Sequence, residues 1–218
     1  MKRKERMPSY YPMFLNISGK KCVVAGGGQV ALRKVRMLLE HGASVEVISP
    51  ELCSELNRLA ESGEIRVLLR NFSAGDLQNA FMAIAATSDD NTNREVVRES
   101  REKAVLVNVV DEPEGCDFIV PSYLRRGDIT IAISTGGRSP ALARKIRTSL
   151  ERYFGNEYAA LALLVDEVRS EVKRQGIEVN GDAWQEALDL DLLVEMLRKG
   201  NHEQAKAILL NNLKRHKE

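Results

Sequence analysis

The sequence has little that supports disulfide or metal chemistry. Its 218 residues include only three cysteines, which form no CxxC pair, and three histidines that lie far apart. An odd number of scattered thiols argues against a disulfide framework and fits a reducing compartment, so we expect a cytoplasmic protein. Because no histidine pair has the spacing of metal ligands, we predict no metal site.

Long apolar runs and an excess of one charge are also missing. No run approaches the roughly 18 apolar residues of a membrane helix, and no signal-type apolar core follows the basic N-terminus. Lysine and arginine (32) nearly balance aspartate and glutamate (31). We therefore expect neither a membrane nor nucleic acid as a partner. No G-x-S-x-G elbow or catalytic-cysteine signature is present.

A regular alternation of short apolar runs and amphipathic segments fills the first half of the chain. This alternation is typical of βαβ units and predicts an α/β fold with a parallel sheet. The predicted strands are 21–25, 44–48, 65–69, 82–86 and 105–110. The predicted helices between them are 30–41, 51–61 and 91–103.

The pattern changes after Pro113. Two extended runs, FIVP and ITIAIS, flank the turn Arg126-Gly127-Asp128, and Ser139-Pro140 announces a helix because serine caps and proline suits the first position. From Asn156 onward the chain is helical in pattern. The predicted organisation is a nucleotide-binding domain at 1–113, a small α/β segment at 114–153 and an all-helical domain at 154–218.

The glycine loop follows the first predicted strand. Gly26, Gly28 and Ala31 fit the pattern G-x-G-x-x-A between a strand and a helix. The first glycine permits a tight turn, the second lets a pyrophosphate approach, and the small alanine lets helix and strand pack closely, as in Rossmann-type domains. The alternative is a tight turn that binds no ligand.

The second predicted strand ends at Ser49-Pro50-Glu51. Glu51, about twenty residues past Gly28, can serve as the acid that binds a ribose hydroxyl. No arginine follows immediately, so NAD is favoured over NADP. Arg33 and Lys34, which follow the loop, are most simply solvated surface charges.

Polar residues also follow the last two predicted strands. Ligands of open parallel sheets collect beyond the carboxyl ends of the strands, so the segment around Thr87 and the acid Asp111 are expected at the same edge as the glycine loop. An acid just after a strand is commonly a turn or helix cap, which fits Asp89 or Asp90. Asp111 differs from these only by its position.

Charge is unevenly distributed along the second half of the chain. Residues 125–152 carry a net charge of +5 and residues 157–195 a net charge of −7. The two segments can simply pair with each other. Alternatively, the basic segment faces a polyanionic substrate, with the loop Ser134–Pro140 receiving an anion before a helix and with Arg138, Ser139 and Arg144 as its binding residues.

Several segments together resemble the precorrin-2 dehydrogenase family, which includes the N-terminal module of bacterial sirohaem synthases. They are YPMFLNISGKKCVVAGGGQVALRKV, AIAATSDDNTN, NVVDEPEGCDFIVPS and IAISTGGRSPALARKIR. The resemblance implies NAD-dependent oxidation of precorrin-2 to sirohydrochlorin on the route to sirohaem. It also implies an intertwined homodimer built through the middle segment. The implied substrate carries many carboxylates, which the basic segment would bind.

The resemblance also implies roles for individual residues. Gln29 and Val30 in the loop and Pro50 and Glu51 after the second strand would touch NAD, and Asp111 matches the acid of the reaction site. Thr135 stands where a relative has a serine that can be phosphorylated, which leaves that modification open.

Two alternatives remain open at this point. Some relatives also insert Fe2+ into sirohydrochlorin, and here insertion would have to rely on carboxylates and the nitrogens of the macrocycle. The chain can also be a non-catalytic dinucleotide sensor, which explains the glycine loop and a dimer but not NVVDEP followed by a basic helix.

Overall fold

The chain forms two compact units, of which the first ends at Val120 and the second begins at Pro121. The computed structural model describes residues 10–112 and 115–215. The domain boundary expected at 113–114 lies outside these residues, so the three-part division stays a prediction.

A five-stranded parallel sheet is the centre of the first unit, with the strand order β3-β2-β1-β4-β5. Its strands are β1 (Lys21–Ala25), β2 (Ser44–Ile48), β3 (Arg66–Leu68), β4 (Met82–Ala85) and β5 (Leu106–Val109). Ala25, the last residue of β1, pairs with Ile48 on one side and Ala85 on the other. The strand order reverses between β1 and β4, the position where sheets of this kind bind ligands. The predicted Rossmann-type sheet is confirmed.

Three helices cover the two faces of this sheet: α1 (Gln29–Glu40), α2 (Ser54–Glu61) and α3 (Asp90–Lys103). On one face Leu32, Val35 and Leu38 of α1 join a core with alternate strand residues, and Val96 of α3 joins the core on the other face. Each such buried side chain contributes about 1.5–3 kcal/mol. The 3.6-residue spacing of these apolar positions therefore fixes which side of each helix meets the sheet.

All three helices begin at different residues from those predicted, α1 by a single residue, at Gln29. Helix α2 starts at Ser54 rather than Glu51, because the Cys53 amide donates to the Gly27 carbonyl oxygen (2.8 Å) and keeps the preceding residues against the glycine loop. Helix α3 starts at Asp90, after Asp89, whose carboxylate accepts from the amides of Asn91 and Thr92. The cap expected at Asp89 or Asp90 is therefore confirmed at Asp89.

The second unit begins with an antiparallel hairpin of β6 (Ser122–Arg126) and β7 (Ile129–Ile133). The turn lies at Gly127 and Asp128, as expected, and Gly127 has a φ of +57°. The run FIVP, predicted as the first strand of this hairpin, forms neither helix nor strand. Its residue Phe118 packs on the α1 core of the first unit instead, and the residues immediately before the turn pair with β7.

The remaining elements are helices: α4 (Pro140–Leu150), α5 (Glu157–Arg174), α6 (Gly181–Ala187), α7 (Leu190–Arg198) and α8 (His202–Arg215). Leu164 and Val168 of α5 pack with Leu209 and Leu213 of α8 in a separate core, so the helical C-terminal region is confirmed. Within residues 10–112 and 115–215, no helix has the length and apolar character needed to span a membrane.

Candidate active site

The glycine loop is packed tightly between the ends of three strands. The Gly26 amide donates to the Ile48 carbonyl oxygen (2.9 Å), and Gly26 has a φ of +127°. A Cβ at Gly26 would lie 2.4 Å from the Ala86 carbonyl oxygen, and a Cβ at Gly27 would lie 1.8 Å from the Glu51 carbonyl oxygen. Only glycine fits these two positions without moving backbone.

Gly28 has the opposite surroundings, since a Cβ there would meet nothing within 4 Å among the described residues. Gly28 is the N-cap of α1, and no side chain in residues 10–112 or 115–215 caps this helix. The first bond of the turn joins the Leu32 amide to the Gly28 carbonyl oxygen (3.0 Å), so the amides of Gln29 and Val30 lie before it. Open space beside free amides at the positive end of a helix fits a pyrophosphate.

Ser49, Pro50 and Glu51 form the next wall of this edge. Ser49 is buried, and its hydroxyl donates to the Glu51 carbonyl oxygen (2.7 Å), so this side chain braces the turn from inside. Pro50 and Glu51 are exposed. Of the three, Pro50 and Glu51 therefore have side chains free for a ligand.

Thr87 follows β4 on the other side of the loop. Its hydroxyl accepts from the Asp89 amide (3.1 Å) and lies 3.0 Å from the Asn93 Oδ1, while the Asn93 Nδ2 donates to the Thr87 carbonyl oxygen (3.2 Å). Asn93 is buried, and we had not predicted it as part of the site. The sequence could have indicated this role, because Asn93 is a polar residue on the face of α3 that the helical pattern turns inward. Asn93 holds the Thr87 turn in place.

Asp111 lies in a turn just beyond β5. Its φ of +62° is left-handed, an uncommon conformation for a residue with a side chain, and its carboxylate is exposed. Val110, the preceding residue, donates its amide to the Ala85 carbonyl oxygen (3.0 Å), which ties the start of the turn to β4. Strain of this kind at a strand end is typical of functional positions.

The first unit therefore brings its predicted residues together. Gly26 and Gly28, the Ser49–Glu51 turn, Thr87 and Asp111 all lie at the carboxyl ends of β1, β2, β4 and β5. Within the described ranges, no group of three or more histidine, cysteine, aspartate or glutamate side chains could hold a metal ion.

The predicted substrate residues lie in the second unit, where α4 begins. The Ser139 hydroxyl accepts from the Leu142 amide (3.2 Å), and its own amide donates to the Thr135 hydroxyl (3.0 Å). Ser139 therefore serves as the helix cap, as its sequence position indicated. Arg138 and Arg144 are exposed and have no ion-pair partner among residues 10–112 and 115–215.

The expectation that the basic and acidic segments pair with each other finds little support within one chain. Glu157 pairs with Arg198 (2.6 Å) and Glu167 with Lys206 (3.2 Å), both inside the helical region. The Arg198 hydrogen bond is the main cause that lowers the pKa of Glu157, and the charge of Arg126 adds only a minor effect. No ion pair in the described part of the chain joins the two segments.

Comparison with known families agrees with this geometry. Residues 13–122 match a family model described as NAD(P)-binding. This chain belongs to that family. Residues 126–153 match a second model, described as sirohaem biosynthesis protein central. The resemblance to the precorrin-2 dehydrogenase family and the expectation of NAD as cofactor are thus confirmed.

Individual relatives carry the same indication. A siroheme synthase of Nitrosococcus oceani is 39% identical over 202 residues, which cover 92% of this chain and 43% of the relative. One from Methylobacillus flagellatus is 43% identical over 164 residues, covering 75% and 35%. The chain thus spans less than half the length of these relatives. A solved structure named SirC, precorrin-2 dehydrogenase, aligns with a TM-score of 0.71 and 25% identity, covering 95% of this chain and 100% of that one.

Proposed function

We propose that this protein is a cytoplasmic, NAD-dependent dehydrogenase that oxidises precorrin-2 to sirohydrochlorin in sirohaem biosynthesis. The observation that carries the proposal is the strained, exposed Asp111 at the same sheet edge as a glycine loop with free helix amides. The dinucleotide supplies the hydride acceptor. The protein supplies a cradle for its phosphates and an acid beside the reacting atoms.

The Gly28 cradle holds the pyrophosphate, with the amides of Gln29 and Val30 as donors. Exposed Glu51 is placed to accept hydrogen bonds from the adenosine ribose. The nearby cation after β3, Arg70, is bound to the Asp76 carboxylate by two hydrogen bonds (2.6 and 2.8 Å). A 2′-phosphate would find that arginine already engaged, which favours NAD over NADP.

Asp111 would accept or steer the proton that leaves the substrate, and a bound dinucleotide would supply the hydride acceptor. Dehydrogenation removes one hydride and one proton, so it needs a base as well as a hydride acceptor. The exposed carboxylate of Asp111, at the sheet edge that carries the glycine loop, meets that requirement. Positioning does most of the work.

Unpaired cations in the second unit bind the carboxylates of the tetrapyrrole. Arg138, Arg144, Lys145 and Arg152 are exposed and have no ion-pair partner in the part of the chain that the structure describes. An exposed cation interacts with a polyanion over about 10 Å at moderate ionic strength. This set therefore attracts and orients an acidic macrocycle.

The protein acts as a homodimer formed through the hairpin and α4. Only Leu124 and Ala143 are buried among the residues of β6, β7 and α4. Leu142 and Ile146, four residues apart on α4, are exposed by 51% and 37%, and Tyr153, just after the helix, is exposed by 73%. A second copy that covers this face would remove an apolar surface from water.

Insertion of Fe2+ is proposed only as a second activity of the same site. It would use carboxylates and the nitrogens of the macrocycle rather than a protein metal cluster. A chelatase assay with sirohydrochlorin and Fe2+ tests it separately from the dehydrogenase reaction.

An anaerobic assay tests the main proposal. Precorrin-2 is added to the protein with NAD or NADP, and NADH absorbance is followed together with the visible spectrum of the product. We expect NADH and sirohydrochlorin in equal amounts with NAD, and a slower reaction with NADP. A dinucleotide sensor would bind NAD and form no NADH, and that result would reject the proposal.

A further inference from the structure

The turn that carries Asp111 is held by the Cys116 sulfur. This sulfur accepts from the Val109 amide (3.1 Å) and lies 3.3 Å from the carbonyl oxygens of Val109 and Glu112. The side-chain Nδ2 of Asn108, in β5, donates to the Phe118 carbonyl oxygen (3.0 Å). The turn therefore has a defined position at the end of β5.

The same turn lies over α1. Val110 and Phe118, on either side of it, pack on the core cluster that contains Leu32 and Val35 of that helix. Lys34 lies between these two helix positions in sequence and is half-buried, unlike its exposed neighbours Arg33 and Arg36. The charges of Cys116 and Asp111 act on Lys34, which indicates that its ammonium lies near the Asp111 turn, where a solvated surface charge had been expected.

Lys34 is partly shielded from water and has gained no partner among the described residues. Burial lowers the pKa of its ammonium and the charge of Arg33 lowers it further, while Cys116 and Asp111 act in the opposite direction. No hydrogen bond or ion pair to Lys34 occurs within residues 10–112 and 115–215. A half-buried cation of this kind gains most from an anionic ligand that approaches from the open side.

We propose that Lys34 is a further substrate-binding residue, whose ammonium binds a carboxylate of the tetrapyrrole beside Asp111. This inference rests on the proposed function and adds an anchor in the first unit to the cations of the second. An anionic oxygen could equally belong to the cofactor phosphate. The charge of Asp111, the acid proposed for the reaction site, acts on Lys34, which favours the substrate carboxylate.

The test compares Lys34→Gln, Lys34→Arg and the control Arg36→Gln, an exposed cation of the same helix. For each full-length variant, KM and kcat for precorrin-2, sirohydrochlorin binding by absorbance titration, and the Kd for NAD are measured. Lys34→Gln should raise KM and weaken sirohydrochlorin binding by about tenfold to a hundredfold, the range for a lost charge-assisted hydrogen bond. Its Kd for NAD should stay within about twofold.

Lys34→Arg keeps the charge and should recover most of the affinity for sirohydrochlorin. Arg36→Gln should change neither KM for precorrin-2 nor the Kd for NAD by more than about twofold. A Lys34→Gln enzyme with wild-type KM would overturn the inference. So would a weakened Kd for NAD, which would assign the anion to the cofactor phosphate. If Lys34→Arg were no better than Lys34→Gln, with both melting early, the role would be structural and the inference wrong.

The Lys34→Met variant keeps the apolar stem and guards against loss of packing, so it should match Lys34→Gln in KM and the wild type in melting temperature. Failure of the underlying function would look different. The wild type itself would then form no NADH from precorrin-2, before any variant is compared.

Discussion

The sheet edge of the first unit and the hairpin with α4 in the second are built in different ways. The sheet edge is made largely of backbone, with the glycine loop wedged against the carbonyl oxygens of Ala86 and Glu51. The hairpin and α4 present exposed cations and an exposed apolar face. The comparison teaches that the glycine loop is fixed by close contacts within the first unit, whereas the proposed substrate segment leaves its cations and its apolar face exposed.

The largest effect on turnover should follow from removing the carboxylate of Asp111 at the sheet edge of the first unit. We expect Asp111→Ala to lower turnover of precorrin-2 by about 10²–10⁴, because the general base is lost. NAD binding should persist, since the glycine loop does not depend on this side chain. Steady-state kinetics and an NAD titration measure the two effects, and unchanged turnover would remove Asp111 from the mechanism.

A pair of glycine variants separates folding from binding. Gly27→Ala should destabilise the protein by about 1–3 kcal/mol or more, since its Cβ overlaps the Glu51 carbonyl oxygen. Gly28→Ala should fold normally, because its Cβ meets only open space, yet should weaken NAD binding at least tenfold by filling the cradle. Thermal melts and NAD titrations distinguish them. Equal NAD affinity in Gly28→Ala and the wild type would place the pyrophosphate elsewhere.

A substitution on the exposed face of α4 should disrupt the proposed dimer but not the fold of the second unit. Leu142→Glu puts a charge on the exposed apolar face of α4. We expect the dissociation constant of the dimer to rise at least a hundredfold, as measured by light scattering over a concentration series. Leu163→Glu is the matched control, because Leu163 is exposed by 59% on α5. If both variants keep the wild-type mass, α4 does not form the interface.

Substrate capture should depend on salt. Arg144→Gln should raise KM for precorrin-2 about two- to tenfold at low ionic strength, and the difference should shrink as salt screens the charge. Arg169→Gln, which removes an exposed cation from the acidic segment, is its control. An effect that is equal in the two variants would reject specific binding by the basic segment.

A pH-dependent effect on stability, rather than on activity, concerns the first unit alone. The Arg70 hydrogen bonds lower the pKa of Asp76 below its usual value, because they stabilise its ionised carboxylate in the folded state. This stability is present above the ordinary aspartate pKa and is lost as pH falls through the lowered one. Denaturant unfolding at pH 7 should show Asp76→Asn less stable by about 1–3 kcal/mol. The difference should narrow towards pH 3, and a constant difference would contradict the assignment.

Local sterics explain which features could be predicted from the sequence. The glycine loop, the parallel strands and the Asp89 and Ser139 caps depend on a few neighbouring residues, and the structure has them where expected. The strand pattern predicted the position of Asp111 at this edge, but its role at the reaction site came only from the family resemblance, because an acid after a strand is usually a cap. Its left-handed φ of +62° is visible only in the structure.

The errors arose where distant segments meet. FIVP has the composition of a strand, but Phe118 packs on the α1 core instead. Lys34 was expected to be solvated because no local pattern shows that the turn after β5 folds over α1. Asn93 was missed for a different reason, since its role depends on the geometry of the turn at Thr87, six residues earlier.

The central claim is that a nicotinamide dinucleotide lies across the switch between β1 and β4, with its phosphates on the glycine loop and its reactive end beside Asp111. A crystal structure of the protein grown with NAD tests this most directly. The account predicts the pyrophosphate within hydrogen-bond distance of the Gln29 and Val30 amides. A pyrophosphate bound away from Gly26–Gly28 would contradict it.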